Sequence, residues 1–235
     1  MKLLQITPAV SDSLQQLQQG VPDVDISSTT INAFDLALKG GWLMIILLIL
    51  LLLSVYVLIE RLLVLRDAGK EDDSFMNRIK DYIHEGKIDS AQALCKKTDT
   101  PSARMVEKGI SRLGRPMSDI TQAIENAGNI EISKLEKGLP LLATTAAGAP
   151  MIGFLGTVTG MVKAFMSMAN AGANVDVTHL STGIYEALIT TVGGLIVGII
   201  ALFAYNYLTT QIKGIVNKME MRIMEFMDIL NEPAI

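Results

Sequence analysis

The stretch that decides the fold covers residues 178–208 and reads THLSTGIYEALITTVGGLIVGIIALFAYNYL. It is long enough to cross a bilayer as one α-helix, because about 20 apolar residues suffice. Yet it carries one carboxylate, Glu186, two adjacent threonines, Thr190 and Thr191, and several glycines. An ionised group at mid-bilayer costs roughly 3 kcal/mol on insertion scales, so such groups usually face a bundle interior or a water-filled path. We therefore expect this helix to line an ion path in an oligomeric membrane protein, with Glu186 near mid-membrane.

Composition places the whole chain among membrane proteins. Of its 235 residues 50% are hydrophobic and only 19% are charged, with a net charge of −4. The sequence has no basic tract with interleaved aromatic residues, so we expect no nucleic-acid partner. Its single cysteine cannot form an internal disulfide, and no paired Cys/His motif predicts a metal or another cofactor. No nucleophile triad, P-loop or HExxH motif indicates an enzyme.

A first span is predicted over residues 42–60, where aliphatic residues dominate and glycine is absent. Close helix packing in lipid relies on small residues, so we expect this helix on the outside of the protein, facing lipid. Trp42 and Tyr56 suit the two interfacial zones, and Arg61 and Arg66 follow the span. This Lys/Arg bias predicts a periplasmic N-terminus and cytoplasmic residues from 61 onward, in a multi-pass protein of the bacterial inner membrane.

The second span, residues 139–163, differs from the first because it is rich in glycine and threonine. Its Gly156-x-x-x-Gly160 spacing, and Gly194-x-x-x-Gly198 in the third span, favour close approach of helix backbones. A short connection predicts that these two spans are antiparallel neighbours. The expected helix-packing residues are Gly153, Gly156, Gly160, Gly194 and Gly198.

The predicted fold is an all-α integral membrane protein with three transmembrane helices and long cytoplasmic helical extensions. Between the first two spans, Gly86 is expected to end one helix, Asp89 or Ser90 to cap the next, and Pro101 and Pro116 to open two more. The predicted order is a periplasmic N-terminal segment with a short amphipathic helix (1–41), transmembrane helix 1 (42–60), a cytoplasmic helical domain (61–138), transmembrane helix 2 (139–163), a periplasmic loop (164–180), transmembrane helix 3 (181–208) and a cytoplasmic C-terminal helix (209–235).

The candidate ion-pathway residues combine one carboxylate with three hydroxyls. Residues four apart share a helix face, so Glu186 and Thr190 lie roughly in line, whereas Thr191 is displaced. Thr157 on the second span is expected to face the third span at similar depth. Hydroxyls both donate and accept, so they can relay a proton or hold water beside the carboxyl. The plainer alternative is a protonated glutamate satisfied in a helix interface, with threonines bonded back to their own helices.

Two stretches in this order, APMIGFLGTVTGMVKAF (149–165) and GIYEALITTVGGLIVGIIALFAYN (183–206), resemble the ExbB/TolQ/MotA proton-channel family. The resemblance implies a pentameric cylinder that encloses the single-span helices of an ExbD-like dimer, whose aspartate accepts and releases the ion. Its motif residues correspond to Thr157, Glu186 and Thr191, while Thr190 stays a candidate from helix geometry. Proton flow would rotate the inner helices and energise a TonB-like protein that opens outer-membrane transporters. MotA-like subunits have four spans and fit less well.

Three alternatives to an ExbB-type motor subunit stay open. A TolQ-type subunit would serve envelope integrity through the Tol-Pal system. A passive scaffold would use its small-residue helices only to hold another membrane protein. A self-sufficient channel would conduct protons without a partner. Membrane lipids are expected contacts in every case. A specific role for the charged segment after the first span would be to bind anionic lipid headgroups.

Overall fold

The computed structural model describes residues 41–70, 72, 74–171 and 177–231, with side chains left undescribed at 171–180. All regular structure in these residues is helical, which confirms the predicted all-α class. The predicted N-terminal amphipathic helix lies outside the described residues. The helices are α1 (Gly41–Ala68), α2 (Ser74–His84), α3 (Ile88–Thr98), α4 (Pro101–Ile110), α5 (Met117–Leu135), α6 (Leu139–Ala171) and α7 (Val177–Asn231).

Three of these helices are long and apolar enough to cross a membrane, as the sequence predicted. The qualifying stretches are Gly41–Ala68, Leu139–Asn170 and Ser181–Asn231. In the most apolar part of each stretch fewer than half of the residues are buried within the chain. Much of the apolar surface is therefore open to lipid or to other chains.

Helices α6 and α7 extend beyond the predicted spans. The predicted loop over 164–180 is helical through Ala171 and again from Val177, because KAFMSMAN consists mainly of good helix formers. The predicted third span and C-terminal helix form one uninterrupted helix of 55 residues. At 1.5 Å per residue this helix is about 80 Å long, far more than the roughly 30 Å hydrocarbon layer. One continuous helix thus joins the third span to the helices that are not candidate spans.

Helix α1 contacts the α6–α7 pair through a single face. Leu47 packs with Ala149 of α6 and Val197 of α7, and one turn earlier Met44 lies against Gly193. The other faces of α1 expose large apolar side chains, which suits the lipid-facing position expected for a helix without small residues. These exposed side chains include Trp42, Ile45, Leu48, Ile49, Leu52, Tyr56 and Ile59.

The helices outside the spans share a core with the distal half of α7. Phe226 of α7 is fully buried between α4 and α5, and a Cβ added at Gly109 would lie 2.6 Å from its ring. Ile124 of α5 lies at the same place, because its Cδ1 would be 2.9 Å from the same added Cβ. Phe226 therefore sets the height of α7 relative to α4 and α5.

The helix ends follow simple capping rules, with one correction. Gly86 has a positive φ of 71° after α2, and Thr100 caps α4 by accepting from the Ala103 N–H at 3.3 Å. The predicted cap of α3 at Asp89 or Ser90 is wrong: both residues lie inside the first turn, and the cap position is Lys87 without a side-chain hydrogen bond. The backbone closes this junction instead, since the Lys87 N–H donates to Tyr82 O at 2.8 Å.

A buried arginine links α1 to the junction between α5 and α6. Arg61 is only 4% exposed; its Nη1 donates to Lys134 O at 3.0 Å and its Nη2 pairs with Glu60 Oε1 at 2.7 Å. Lys134 lies in the last turn of α5, where free carbonyls favour a nearby cation. The chain then turns at Gly138, with φ +87°, into α6.

We predict that Arg61→Met lowers the stability of the protein in detergent by about 1–3 kcal/mol, because the Lys134 carbonyl loses its partly buried donor. Thermal unfolding followed by circular dichroism measures the change. Arg66→Met is the matched control, since Arg66 is exposed on the same helix. Equal melting temperatures for the two variants would contradict the proposed link.

Candidate ion-pathway site

Helices α6 and α7 are antiparallel and touch backbone to backbone at their centre. A Cβ added at Gly194 would lie 2.6 Å from Ala149 O and 2.8 Å from Gly153 Cα. A Cβ added at Gly153 would lie 2.9 Å from Thr190 O. No side-chain rotation relieves such contacts, because the neighbouring atoms belong to the backbone. The two helices can therefore approach this closely only with glycine at both positions.

The same contact continues in both directions along the pair. Towards the C-terminal end of α6 and the N-terminal end of α7, a Cβ added at Gly160 would lie 2.8 Å from the Ala187 side chain. Towards the other end, a Cβ at Gly198 would lie 2.6 Å from Cγ of Pro150. Gly156 lies directly against the Thr190 side chain. All five glycines expected to pack helices thus lie in the α6–α7 contact.

The threonine hydroxyls differ in what they bind. Thr191 Oγ1 donates across the helix pair to Gly153 O at 3.0 Å. Thr157 instead donates to Phe154 O at 2.6 Å and Thr190 to Ala187 O at 2.8 Å, both within their own helices. Thr157 and Thr190 therefore donate hydrogen bonds back to their own helices, as the plainer alternative expects. Thr191 instead forms a hydrogen bond between two helices.

Glu186 is half-buried in a small cavity where α1, α6 and α7 meet. One of its carboxyl oxygens lies against Gly41, the first residue of α1. The cavity measures about 10 Å³, which is room for roughly one water molecule. Its lining comprises Trp42, Leu43, Gly156, Thr159, Gly160, Lys163, Glu186 and Thr190.

Glu186 lies near one end of the apolar stretches of α1 and α7 and not at their middle. Glu186 lies level with Gly41, at the beginning of the apolar run of α1, and α1 and α7 continue from there in parallel. Met44 and Leu47 of α1 lie beside Gly193, seven residues later on α7. The carboxyl therefore lies beside the first turn of α1, and an ionised group near the end of an apolar stretch costs less than one at its centre.

The four predicted pathway residues lie on two sides of the α6–α7 pair. Glu186 and Thr190 line the cavity beneath α1, as their spacing of four predicted. Thr191 is five residues from Glu186, roughly 140° around the helix, and binds Gly153 on the side away from α1. Thr157, four residues after Gly153, lies on that same side of α6. Thr157 is therefore not part of the lining of the Glu186 cavity within one chain.

Sequence reasoning missed two members of the cavity, Thr159 and Lys163. The position of Lys163 at the end of a span predicts only an interfacial side chain, yet it lines the same cavity as the carboxyl of Glu186. Thr159 donates to Leu155 O at 2.9 Å and adds a further hydroxyl to the lining. The glycine spacings could have predicted both positions. When the second and third spans are placed antiparallel with their glycine motifs in contact, the end of the second span lies beside Glu186.

Comparisons with known proteins agree on one family. The sequence profile of the MotA/TolQ/ExbB proton channel family matches residues 97–221. The Tol-Pal system protein TolQ of Haemophilus influenzae is 32% identical over 222 residues, covering 87% of this chain and 96% of its own.

Two ExbB relatives match over shorter segments. Biopolymer transport protein ExbB of Xanthomonas campestris pv. campestris is 37% identical over 102 residues, 43% of this chain and 40% of its own. A putative ExbB homolog of Methanothermobacter thermautotrophicus is 35% identical over 121 residues, 52% of this chain and 42% of its own. The chain thus spans less than half the length of these two ExbB relatives.

We predict that Gly194→Ala destabilises the protein by about 1–3 kcal/mol, because its Cβ meets the backbone of α6. Gly148→Ala is the control: it lies in α6 with open space at its Cβ position and gains the same helix propensity. Thermal unfolding in detergent compares the two variants. A Gly194→Ala protein as stable as Gly148→Ala would refute the backbone contact.

We predict that Thr191→Val lowers stability by about 0.6 kcal/mol, the average for a hydrogen bond between membrane helices, and more than Thr157→Val does. Only the first substitution removes a bond that joins two helices. Unfolding by a denaturing detergent measures both. If Thr157→Val were the more damaging, the hydroxyl assignments would be wrong.

Proposed function

Because the chain belongs to the MotA/TolQ/ExbB proton channel family, we propose that it is the channel-forming subunit of an inner-membrane motor. It converts proton flow into mechanical work together with an ExbD-like partner. The observation that carries this proposal is Glu186, a half-buried carboxyl in a cavity that also holds hydroxyls and a lysine. A helix that served only to anchor the protein has no need of such a group.

Other chains complete the path in this proposal. The cavity at Glu186 holds about one water molecule, so it is not by itself a continuous route for protons. The transmembrane helices also leave much apolar surface uncovered. A closed ring of copies, five in the family resemblance, around an ExbD-like single-span dimer supplies both the missing walls and a second carboxylate.

The two sides of the α6–α7 pair suggest an order for the ion path. Arg61 and Arg66 favour a periplasmic beginning of α1, so Glu186 would lie at the periplasmic edge and receive protons first. Thr191 lies about 7.5 Å deeper, five residues along α7, and Thr157 lies on the same side of the pair, free of α1. That side is where the partner helices would fit, with the hydroxyls of Thr157, Thr190 and Thr191 passing protons between Glu186 and the partner carboxylate.

The energised system is the second part of the proposal. The first candidate is a TonB-like protein that drives outer-membrane transport. TolQ-type action in the Tol-Pal system is the second candidate, favoured by the match along 96% of the Haemophilus influenzae TolQ. Complementation separates them: an ExbB-type subunit restores TonB-dependent iron uptake to a strain lacking ExbB, whereas a TolQ-type subunit restores detergent resistance to a strain lacking TolQ.

We predict that Glu186→Gln abolishes proton flux through the complex with its partner in liposomes, because the amide cannot take up or release a proton at this position. The ring still assembles, since glutamine has nearly the same volume. Glu125→Gln is the control, as Glu125 is exposed on α5 outside the spans. Flux retained by the Glu186→Gln variant would leave the passive scaffold as the better account, and flux from this chain alone would favour a self-sufficient channel.

A further inference from the structure

A groove outside the membrane has no role in the ion path. It lies between α4 and α5 and has a volume of about 560 Å³. Four cations line it against two carboxylates, and the surface of Ile130 within it is 58% exposed. The cations are Arg104, Lys108, Arg112 and Lys134, and the carboxylates are Glu107 and Glu131.

Only part of this charge is neutralised within the chain. Arg104 and Lys134 both bind the buried Glu131, at 2.6 Å and 2.7 Å. Although burial alone raises the pKa of Glu131, these two bonds hold that pKa below its usual value, so the carboxylate stays ionised. Lys108 and Arg112 form no ion pair with any residue the structure describes. Among the described residues the groove therefore keeps two cations without an ion pair, beside the one further carboxylate, Glu107.

A complementary surface lies on the outer face of α7. Met221, Met224 and Asp228 are spaced three and four residues apart, so they form one stripe, which we call the α7 stripe. Met221 is 53% and Met224 59% exposed, and the acidic Glu220 and Glu225 flank them. The stripe lies opposite the face that buries Met219 and Phe226. Glu225 pairs with Arg222 of the same chain at 3.0 Å, so the stripe offers two exposed methionines beside Glu220 and Asp228, which suit a partner surface that is apolar and basic.

The groove and the α7 stripe lie on opposite sides of the same group of helices. Phe226 on the inner face of α7 packs on Gly109 and Ile124, which belong to the inner faces of α4 and α5. The groove is formed by the outer faces of α4 and α5. One chain cannot bring its own stripe to its own groove, but a second copy placed side by side can. A head-to-tail contact of this kind generates a ring when its rotation closes.

The heights of the two surfaces agree. Every copy spans the membrane with the same residues, so copies in a ring keep the same level, and Gly109, Ile124 and Phe226 mark that level in each. Arg112 follows Gly109 by three residues, two past the end of α4, and Asp228 lies about 3 Å beyond Phe226 along α7. Ile130 lies about 9 Å from Ile124 along α5 and Met221 about 7.5 Å from Phe226 along α7, both on the side of the spans to which these helices connect. Neighbouring copies would thus set cation against carboxylate and apolar residue against apolar residue.

We propose that the α7 stripe of one copy docks in the α4–α5 groove of the next, forming the ring contact outside the membrane. The proposal rests on the ring in the proposed function. Arg112 pairs with Asp228, and Ile130 packs on Met221, in each repeat of the contact. The long α7 rod then lies at a subunit boundary along its distal half, in addition to any contact within the spans.

Disulfide cross-linking of the full chain tests the contact. A chain carrying both Ile130→Cys and Met221→Cys is expected to give a ladder of covalent species up to the full ring on mild oxidation. Each single variant gives no ladder. The native Cys95 does not interfere, because it is fully buried and burial raises its pKa to about 12. Native mass spectrometry of the same samples reports whether a ring is present.

Charge exchange provides the second arm. Arg112→Asp and Asp228→Arg are each expected to reduce the cross-linking yield several-fold, and the double exchange to restore it. Glu125→Arg, an exposed change away from both surfaces, leaves the yield unaltered. A ring without a ladder overturns the docking alone, whereas absence of any ring overturns the proposed function. Loss of bound anionic phospholipid with Arg112→Asp, without an effect of Asp228→Arg, would assign the groove to lipid and also overturn the docking.

Discussion

The close contact between the backbones of α6 and α7 is the constraint on which the membrane part depends. Gly153 and Gly194 face each other so tightly that a single methyl group on either would strike main-chain atoms. Without a hydrophobic driving force in lipid, such packing and the Thr191 hydrogen bond to Gly153 O hold the pair together. This contact fixes the register, and the register in turn decides which side chains meet at the Glu186 cavity.

That register explains why the candidate pathway residues are divided. Helix α1 covers one side of the pair and seals Glu186 and Thr190 beneath its first turn, while Thr157 and Thr191 lie on the uncovered side. In the proposed ring these two sides would have different neighbours, since one already has α1 and the other would be free for a foreign helix. The proton path of the proposal therefore crosses between helices instead of following one helix face.

Much of the fold follows from sequence because its signals are local. Apolar length predicts the three spans, small-residue spacing identifies Gly156 and Gly194 as contacts, and Gly86 marks a helix end. What the sequence does not reveal concerns relations between helices. The position of Glu186 beside Gly41 depends on where α1 begins relative to α7, and the side of the α6–α7 pair on which Thr157 lies depends on a rotation of α6 that a single helix does not reveal. Lys163 was missed for the same reason, since its neighbour Glu186 is close only through the antiparallel register.

The uninterrupted α7 helix connects the Glu186 cavity with the packing of α4 and α5. The helix that carries Glu186 at one end buries Phe226 between α4 and α5 near the other, with no break in the 55 residues of its length. Arg61 similarly ties α1 to the end of α5. In the proposed complex, a helix that moves as a stiff rod would let a change in packing at the Glu186 cavity alter the position of the α7 stripe. Contacts between copies outside the membrane would then respond to the state of the ion path within it.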